Sequence, residues 1–200
     1  MQIALPLHYR SAAGERDFFV SEANRDAVAM LDRWPDWSQP RLLLVGPVGA
    51  GKSHLSRVFA ARSAARVHDD LDQNSDEEVL FHAWNAASAD KPLLCVARTD
   101  PRAWGIALPD LASRLAATPI VAILPPDDIL LSAVLAKQFR DRGLTVAPDV
   151  IGWLTTRIER SFAAAAAVVE LLDGTALAQR RAITIPLAKA VLDTQLVMDV

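Results

Sequence analysis

The sequence carries little that would cross-link it, embed it in a membrane or attract nucleic acid. One cysteine, Cys95, occurs among 200 residues, inside the apolar run PLLCVA. A disulfide framework is therefore excluded, and a reducing cytoplasm fits. Lysine is scarce, with four Lys against 17 Arg, and 24 acidic residues leave a formal net charge of −3. No overall basic field advertises binding to DNA or RNA. Charged residues interrupt every apolar stretch before it reaches the ~20 residues a bilayer span needs. Arg10, Glu15, Arg16 and Asp17 likewise break any leader-like apolar segment near the start. The expectation is a cytoplasmic protein with no membrane part.

Glycine is also sparse. Only eight are present, and three of them fall within residues 46–51. What the chain has in quantity is apolar substance, 52% of residues, ample for one domain with a small appended subdomain. The N-terminal stretch HYRSAAGERDFFV reads as irregular. A helix is expected over SEANRDAVAMLDRW, capped by Ser21 or Asn24, with Ala27, Val28, Met30 and Leu31 facing inward. PDWSQP breaks it. RLLLVG is then a buried parallel-type strand, KSHLSRVFAARSAA a helix, and RVHDDLD a poor strand. SDEEVLFHAWNAAS reads as a helix with Ser75 as N-cap and Glu78 as its capping-box partner. PLLCVA and PIVAIL are two further buried strands flanking the helix LPDLASRLAA. Strands alternating with helices imply an α/β layer on a parallel sheet.

Beyond PPDD the pattern becomes helical. Four segments are expected: DDILLSAVLAKQFRDRG, PDVIGWLTTRIER, FAAAAAVVELLDGTALAQRR with Gly174 as a candidate break, and PLAKAVLDTQLV. Pro148 and Pro186 stand near helix starts, where a missing N–H costs little. The seam falls near Pro125–Pro126, giving a base over 9–125 and a helical lid over 126–200.

The strongest local signal is GPVGAGKS, from Gly46 to Ser53, which fits G-x-x-x-x-G-K-[ST]. Gly46, Gly49 and Gly51 free the backbone, with Pro47 and Ala50 between them, to wrap phosphates at a helix N-terminus. Lys52 reaches the β- and γ-phosphates, and the Ser53 hydroxyl can ligate Mg²⁺. The bland alternative is a glycine-rich strand-to-helix turn, but chance supplies the four fixed positions in only roughly one chain in a hundred of this length. ATP or ADP is the expected cofactor. A second acidic site on a neighbouring strand normally completes such a centre. Asp69 and Asp70 in RVHDDLD are the candidates, with Asp69 joining Ser53 at the metal; otherwise they form a solvated acidic turn. Arg114 in LPDLASRL is either a surface arginine or a finger lent to another subunit's nucleotide.

Taken in order, several stretches resemble a known family. GPVGAGKSHL, with His54 and Leu55 directly after the loop, resembles AAA+ proteins of the DnaA branch. RDFFVSEANRDAVAMLDRWPDW, DDLD, DEEVLFHAWNAA, LPDLASRL, PPDDILLSAVLAKQFRDRGL and RIERSFAAAAAVVELLD resemble the Hda family, the DnaA-related regulatory inactivators, in its alphaproteobacterial form. The resemblance runs from residue 2 to about 193. It implies an AAA+ P-loop core with a shortened parallel sheet, followed by an all-α lid. It implies ADP as the characteristic nucleotide, with His54, Phe19 and Val20 near it. It also implies that QIALPL, within residues 1–8, is a peptide for the β sliding clamp of DNA polymerase III. Gln2 would then fill a polar subsite, Leu5 and Leu7 an apolar groove, and Ile3 stands where the family has Leu. Without the resemblance, the same segment reads as a first strand or a tail on the protein's own core. DnaA is the second implied partner, with Arg114 acting in trans to promote its ATP hydrolysis. DNA contact would be indirect, and an exposed QIALPL could bind a neighbouring copy, making a homo-oligomer.

Three departures stand out. The segment between the P-loop helix and the acidic strand is short, as if a strand–helix pair were missing. Val96 and Ala97 occupy positions where related ATPases usually carry a polar sensor. Alanines and Val168 lie where a sensor arginine is usual, with Arg157 and Arg160 upstream. All three favour a nucleotide holder with weak or no turnover. An autonomous P-loop ATPase or small-molecule kinase, and a DNA-binding module like DnaA or a helicase loader, are the alternatives.

Overall fold

The computed structural model describes residues 18–73 and 76–198, so QIALPL with Gln2, Ile3, Leu5 and Leu7 lies outside the described residues. The chain divides between Leu124 and Pro125 into two compact units. In the first, α1 (Arg25–Asp32) precedes β1 (Arg41–Val45), α2 (Lys52–Ser63), β2 (Arg66–His68), α3 (Glu77–Ala86), β3 (Leu93–Ala97), α4 (Pro109–Ala116) and β4 (Ile120–Ala122). All strand pairings are parallel, in the order β2-β3-β1-β4.

Apart from Arg41 at the start of β1, the central strands β1 and β3 are apolar because helices cover both their faces. Leu43, Cys95 and Ala97 pack with Leu80 and Ala83 of α3 and Leu111 and Leu115 of α4. Strand alternation sends Leu42 and Leu44 to the opposite face, and both are fully buried. The connection from β1 to β2 runs one way along the sheet, and those from β2 to β3 and from β3 to β4 run the other. Right-handed crossovers therefore set α2 on one face and α3 with α4 on the other. The direction reverses between β1 and β3, which creates a crevice beyond their carboxyl ends. Only Ala64 and Ala65 separate α2 from β2, with Ala64 in left-handed conformation (φ 53°), and the sheet has four strands among the described residues.

The second unit holds α5 (Asp128–Asp141), α6 (Pro148–Thr155), α7 (Phe162–Gln179) and α8 (Ile185–Met198). Its core gathers Leu131, Leu135, Phe139, Leu154, Val169 and Leu172. The helix α7 is apolar and long enough to cross a membrane, yet it carries Glu170 and Asp173 and buries Ala165, Val168, Val169 and Leu172 in this core.

Four local expectations are corrected. The N-cap of α3 is Asp76, whose carboxylate accepts from the N–H groups of Glu78 and Val79; Ser75 lies outside the described residues. PIVAIL is an edge strand rather than a buried one, with Ile120 and Ala122 exposed and only Ile123 beyond it buried. Gly174 does not break α7, because Leu172 and Ala176 on either side are held in the lid core while the glycine itself faces open space. The helix α6 stops at Thr155, where the Thr155 and Thr156 hydroxyls turn back to the carbonyls of Ile151 and Trp153.

Candidate functional site

β1 delivers the chain into the glycine-rich loop at the crevice. Gly46 passes so close to the end of β4 that a Cβ there would stand 2.7 Å from the Ile123 carbonyl oxygen. Gly49 and Gly51 adopt φ of 78° and 81°, which disfavour any side chain. Gly51 is the N-cap of α2, so the free N–H groups of the first helical turn open toward the loop. Lys52 is only 8% exposed, and its Nζ donates to the carbonyls of Gly46 at 2.7 Å and Pro47 at 2.9 Å. An ammonium has three protons, so one remains for an anion in the cradle. Burial lowers the Lys52 pKa; Asp69, Asp70 and Asp72 oppose that shift and Arg98 adds to it.

The acidic partner comes from the end of β2. Ser53 Oγ donates to Asp69 Oδ2 at 2.6 Å, while Asp69 Oδ1 accepts the Asp70 N–H at 2.9 Å. Asp70 bends the chain in left-handed conformation, with φ 54°. The following turn is stitched to β3: the Leu71 N–H donates to the Val96 carbonyl and the Arg98 N–H to Asp72 Oδ1, both at 3.1 Å. A hydroxyl and a carboxylate in contact are suitable hard ligands for Mg²⁺. Among the described residues there is no group of three or more His, Cys, Asp or Glu that could hold a metal. The cradle, Lys52, Ser53 and Asp69 thus fit a polyphosphate with a divalent cation, which Ser53 and Asp69 would hold.

Gly46, Pro47, Gly49, Ala50, Gly51, Lys52, Ser53 and Asp69 are brought together, and Asp70 turns the chain beside them. Of the aromatic pair, Phe18 rather than Phe19 meets the loop. Its ring stacks on His54 with centroids 5.8 Å apart, and Cε2 lies 3.1 Å from where a Gly51 Cβ would stand. The Phe19 carbonyl instead accepts from Asn24 Nδ2, and Val20 is half-buried. The resemblance implies Phe19 and Val20, but it is Phe18, one position earlier in RDFF, whose ring reaches His54 and Gly51. Val96 and Ala97 are buried and apolar, so the first polar side chain at the end of β3 belongs to Arg98.

Arg114 belongs to a separate constellation, on the α3/α4 face. Its Nε donates to Asp110 at 2.9 Å and its Nη1 to Asn85 at 2.8 Å, and the guanidinium lies 4.8 Å from the Trp84 ring centre. Arg41 sits 3.9 Å from the same ring and donates to the carbonyls of Trp84 and Ala87. Burial, then the Arg114 charge, lowers the Arg41 pKa. In the lid, Arg157 lies over Trp153 and Arg160 pairs with Asp128 at 2.8 Å.

Comparison with known proteins follows the same division. Residues 128–192 match the family model described as Hda, lid domain. A protein of Haemophilus influenzae described as uncharacterized is 27% identical, the match covering 96% of this chain and 98% of that one. Domain III of the Thermotoga maritima replication initiation protein DnaA superposes with a TM-score of 0.72 at 14% identity, over 88% of this chain and 94% of that one. AMPPCP-bound DnaA of Aquifex aeolicus gives 0.60 at 15% identity, over 78% and 63%.

Proposed function

As an AAA+ protein related to Hda through its lid and to DnaA through its fold, this chain, we propose, is a nucleotide-holding adaptor that regulates replication initiation. It docks on the β sliding clamp through Gln2, Ile3, Leu5 and Leu7 and promotes ATP hydrolysis by DnaA. Arg114 supplies positive charge in trans to the transition state on DnaA's nucleotide. The lid match is the observation that carries this reading, because it singles out one branch within a widely shared fold. The setting of Arg114 supports it: a guanidinium held at Nε and Nη1 on an exposed helix is already oriented.

Within the chain's own site, Gly51, Lys52 and Ser53 hold the polyphosphate, and Ser53 with Asp69 faces its magnesium. A bound nucleotide would supply anionic oxygens to accept the remaining Lys52 N–H, and Ser53 and Asp69 would hold its magnesium. ADP is the proposed resident, and the protein works in the cytoplasm. The test is hydrolysis by DnaA with clamp loaded on DNA, with and without this protein. Stimulation that disappears when Gln2, Leu5 and Leu7 become Ala is expected. No stimulation by folded protein that binds the clamp would refute the role of Arg114.

A second reading draws on the Ser53–Asp69 contact, which is what an ATPase in its own right would need. Steady phosphate release by the protein alone, abolished by Lys52→Ala, would establish it.

A further inference from the structure

Arg98 has no place in the glycine-loop motif, yet the topology sets it beside the cradle. β3 pairs with β1 in the register Val45↔Ala97, so the next residue on each strand is Gly46 and Arg98 respectively. Neighbouring strands lie roughly 4.8 Å apart. Arg98 therefore leaves the sheet next to the residue whose carbonyl receives Lys52. Ala97 packs on the α3/α4 side and ends β3, and Arg98 follows in the bend where the chain leaves the sheet. The backbone there is anchored, since the Arg98 N–H donates to Asp72 Oδ1 at 3.1 Å and the turn after β2 is tied to Val96. The side chain itself is exposed. The Arg98 charge is also felt at Lys52, together with Asp69, Asp70 and Asp72.

We infer that Arg98 is a second cation of the nucleotide site, contacting the terminal phosphates beside Lys52 and favouring ligands with longer polyphosphate chains. A guanidinium presents a rigid fork to phosphate, with charge-assisted hydrogen bonds stronger than those of a neutral donor. Asp72 fixes the backbone from which that fork springs. An arginine adds affinity in proportion to the charge it meets, so its contribution rises from AMP to ADP to ATP. The inference rests on the reading that Lys52 and its loop hold a nucleotide.

Equilibrium binding of fluorescent adenine nucleotides with Mg²⁺ tests both together. The full chain is compared with Arg98→Ala, Arg98→Lys and Lys52→Ala. Arg98→Ala is expected to weaken ATP about 10-fold or more and ADP several-fold, while AMP changes little. Arg98→Lys should recover part of the loss, because charge alone is partly sufficient. Added salt should weaken the unaltered protein more steeply than Arg98→Ala. Equal affinities for the unaltered protein and Arg98→Ala, with Lys52→Ala much weaker, would overturn the inference while leaving the cradle's role standing. An equal loss for AMP, ADP and ATP without rescue by lysine would assign Arg98 to the fold of the turn and also overturn it. Failure of the unaltered protein to bind any of the three would overturn the nucleotide reading and the inference with it.

Discussion

The chemistry of single residues here follows from what surrounds them. Cys95 lies at the centre of β3 with 1% exposure, and burial pushes its thiol pKa up to about 12. At pH 8 the folded protein should therefore resist thiol-directed reagents that react at once with the unfolded chain. Modification of native protein faster than it unfolds would contradict that. Because the folded pKa exceeds the unfolded 9.0, Cys95 lowers stability as pH rises from 9.0 toward 12. Lys52 has the opposite sign. Its folded pKa lies below the model-peptide 10.5, so between that lowered value and 10.5 the unfolded chain binds the extra proton. In that window stability without nucleotide gains from each rise in pH, whereas polyphosphate affinity falls as the ammonium is lost. Cys95 contributes equally to both proteins, so the difference between the unaltered protein and Lys52→Met in alkaline titrations of unfolding and of nucleotide binding should show these opposed slopes. Parallel slopes would mean that another group titrates there.

At the scale of elements, caps and edges decide what the hydrophobic pattern leaves open. Asp76 satisfies two N–H groups at the start of α3, so Asp76→Ala should cost about 1 kcal/mol, read as a shift in the urea midpoint with unchanged slope. A shift near zero would show that water serves those groups as well. The sequence favoured Ser75 because S-D-E-E offers a serine three residues before Glu78, and a capping box and a plain aspartate cap look alike one position apart. β4 differs from expectation for another reason. An apolar run indicates strand, but exposure depends on whether another strand follows in the sheet, which is a property of topology. The glycine loop is legible because its conformation is local, with glycines at fixed spacing ahead of a helix. Asp69 was legible as a residue type near the end of a weak strand, but its contact with Ser53 depends on the two-residue return from α2 to β2. Phe18 and Arg98 are not legible in the sequence, because their proximity to the loop arises across chain segments that periodicity does not connect.

At the scale of the whole molecule, the proposed functions occupy separate places on the chain, and that separability can be tested. The nucleotide cradle lies at the carboxyl ends of β1 and β2, whereas Arg114 stands on α4 above Trp84. The peptide QIALPL is a third feature, remote in sequence from both. Arg114→Ala removes an ion pair with an exposed Asp110, a contact to Asn85 and the cation–π contact with Trp84, and at a partly exposed site each is worth about 0–1 kcal/mol. Thermal unfolding, clamp binding and nucleotide affinity should thus be nearly unchanged in this variant. Stimulation of DnaA should nevertheless fall by about 10³-fold or more, the scale of a lost arginine finger. Arg114→Lys should recover little, since the fork held by Asp110 and Asn85 is a guanidinium geometry that an ammonium does not reproduce. Loss of clamp binding or of nucleotide in Arg114→Ala would instead make Arg114 a structural tie between α3 and α4. Full recovery by lysine would reduce its role to long-range charge.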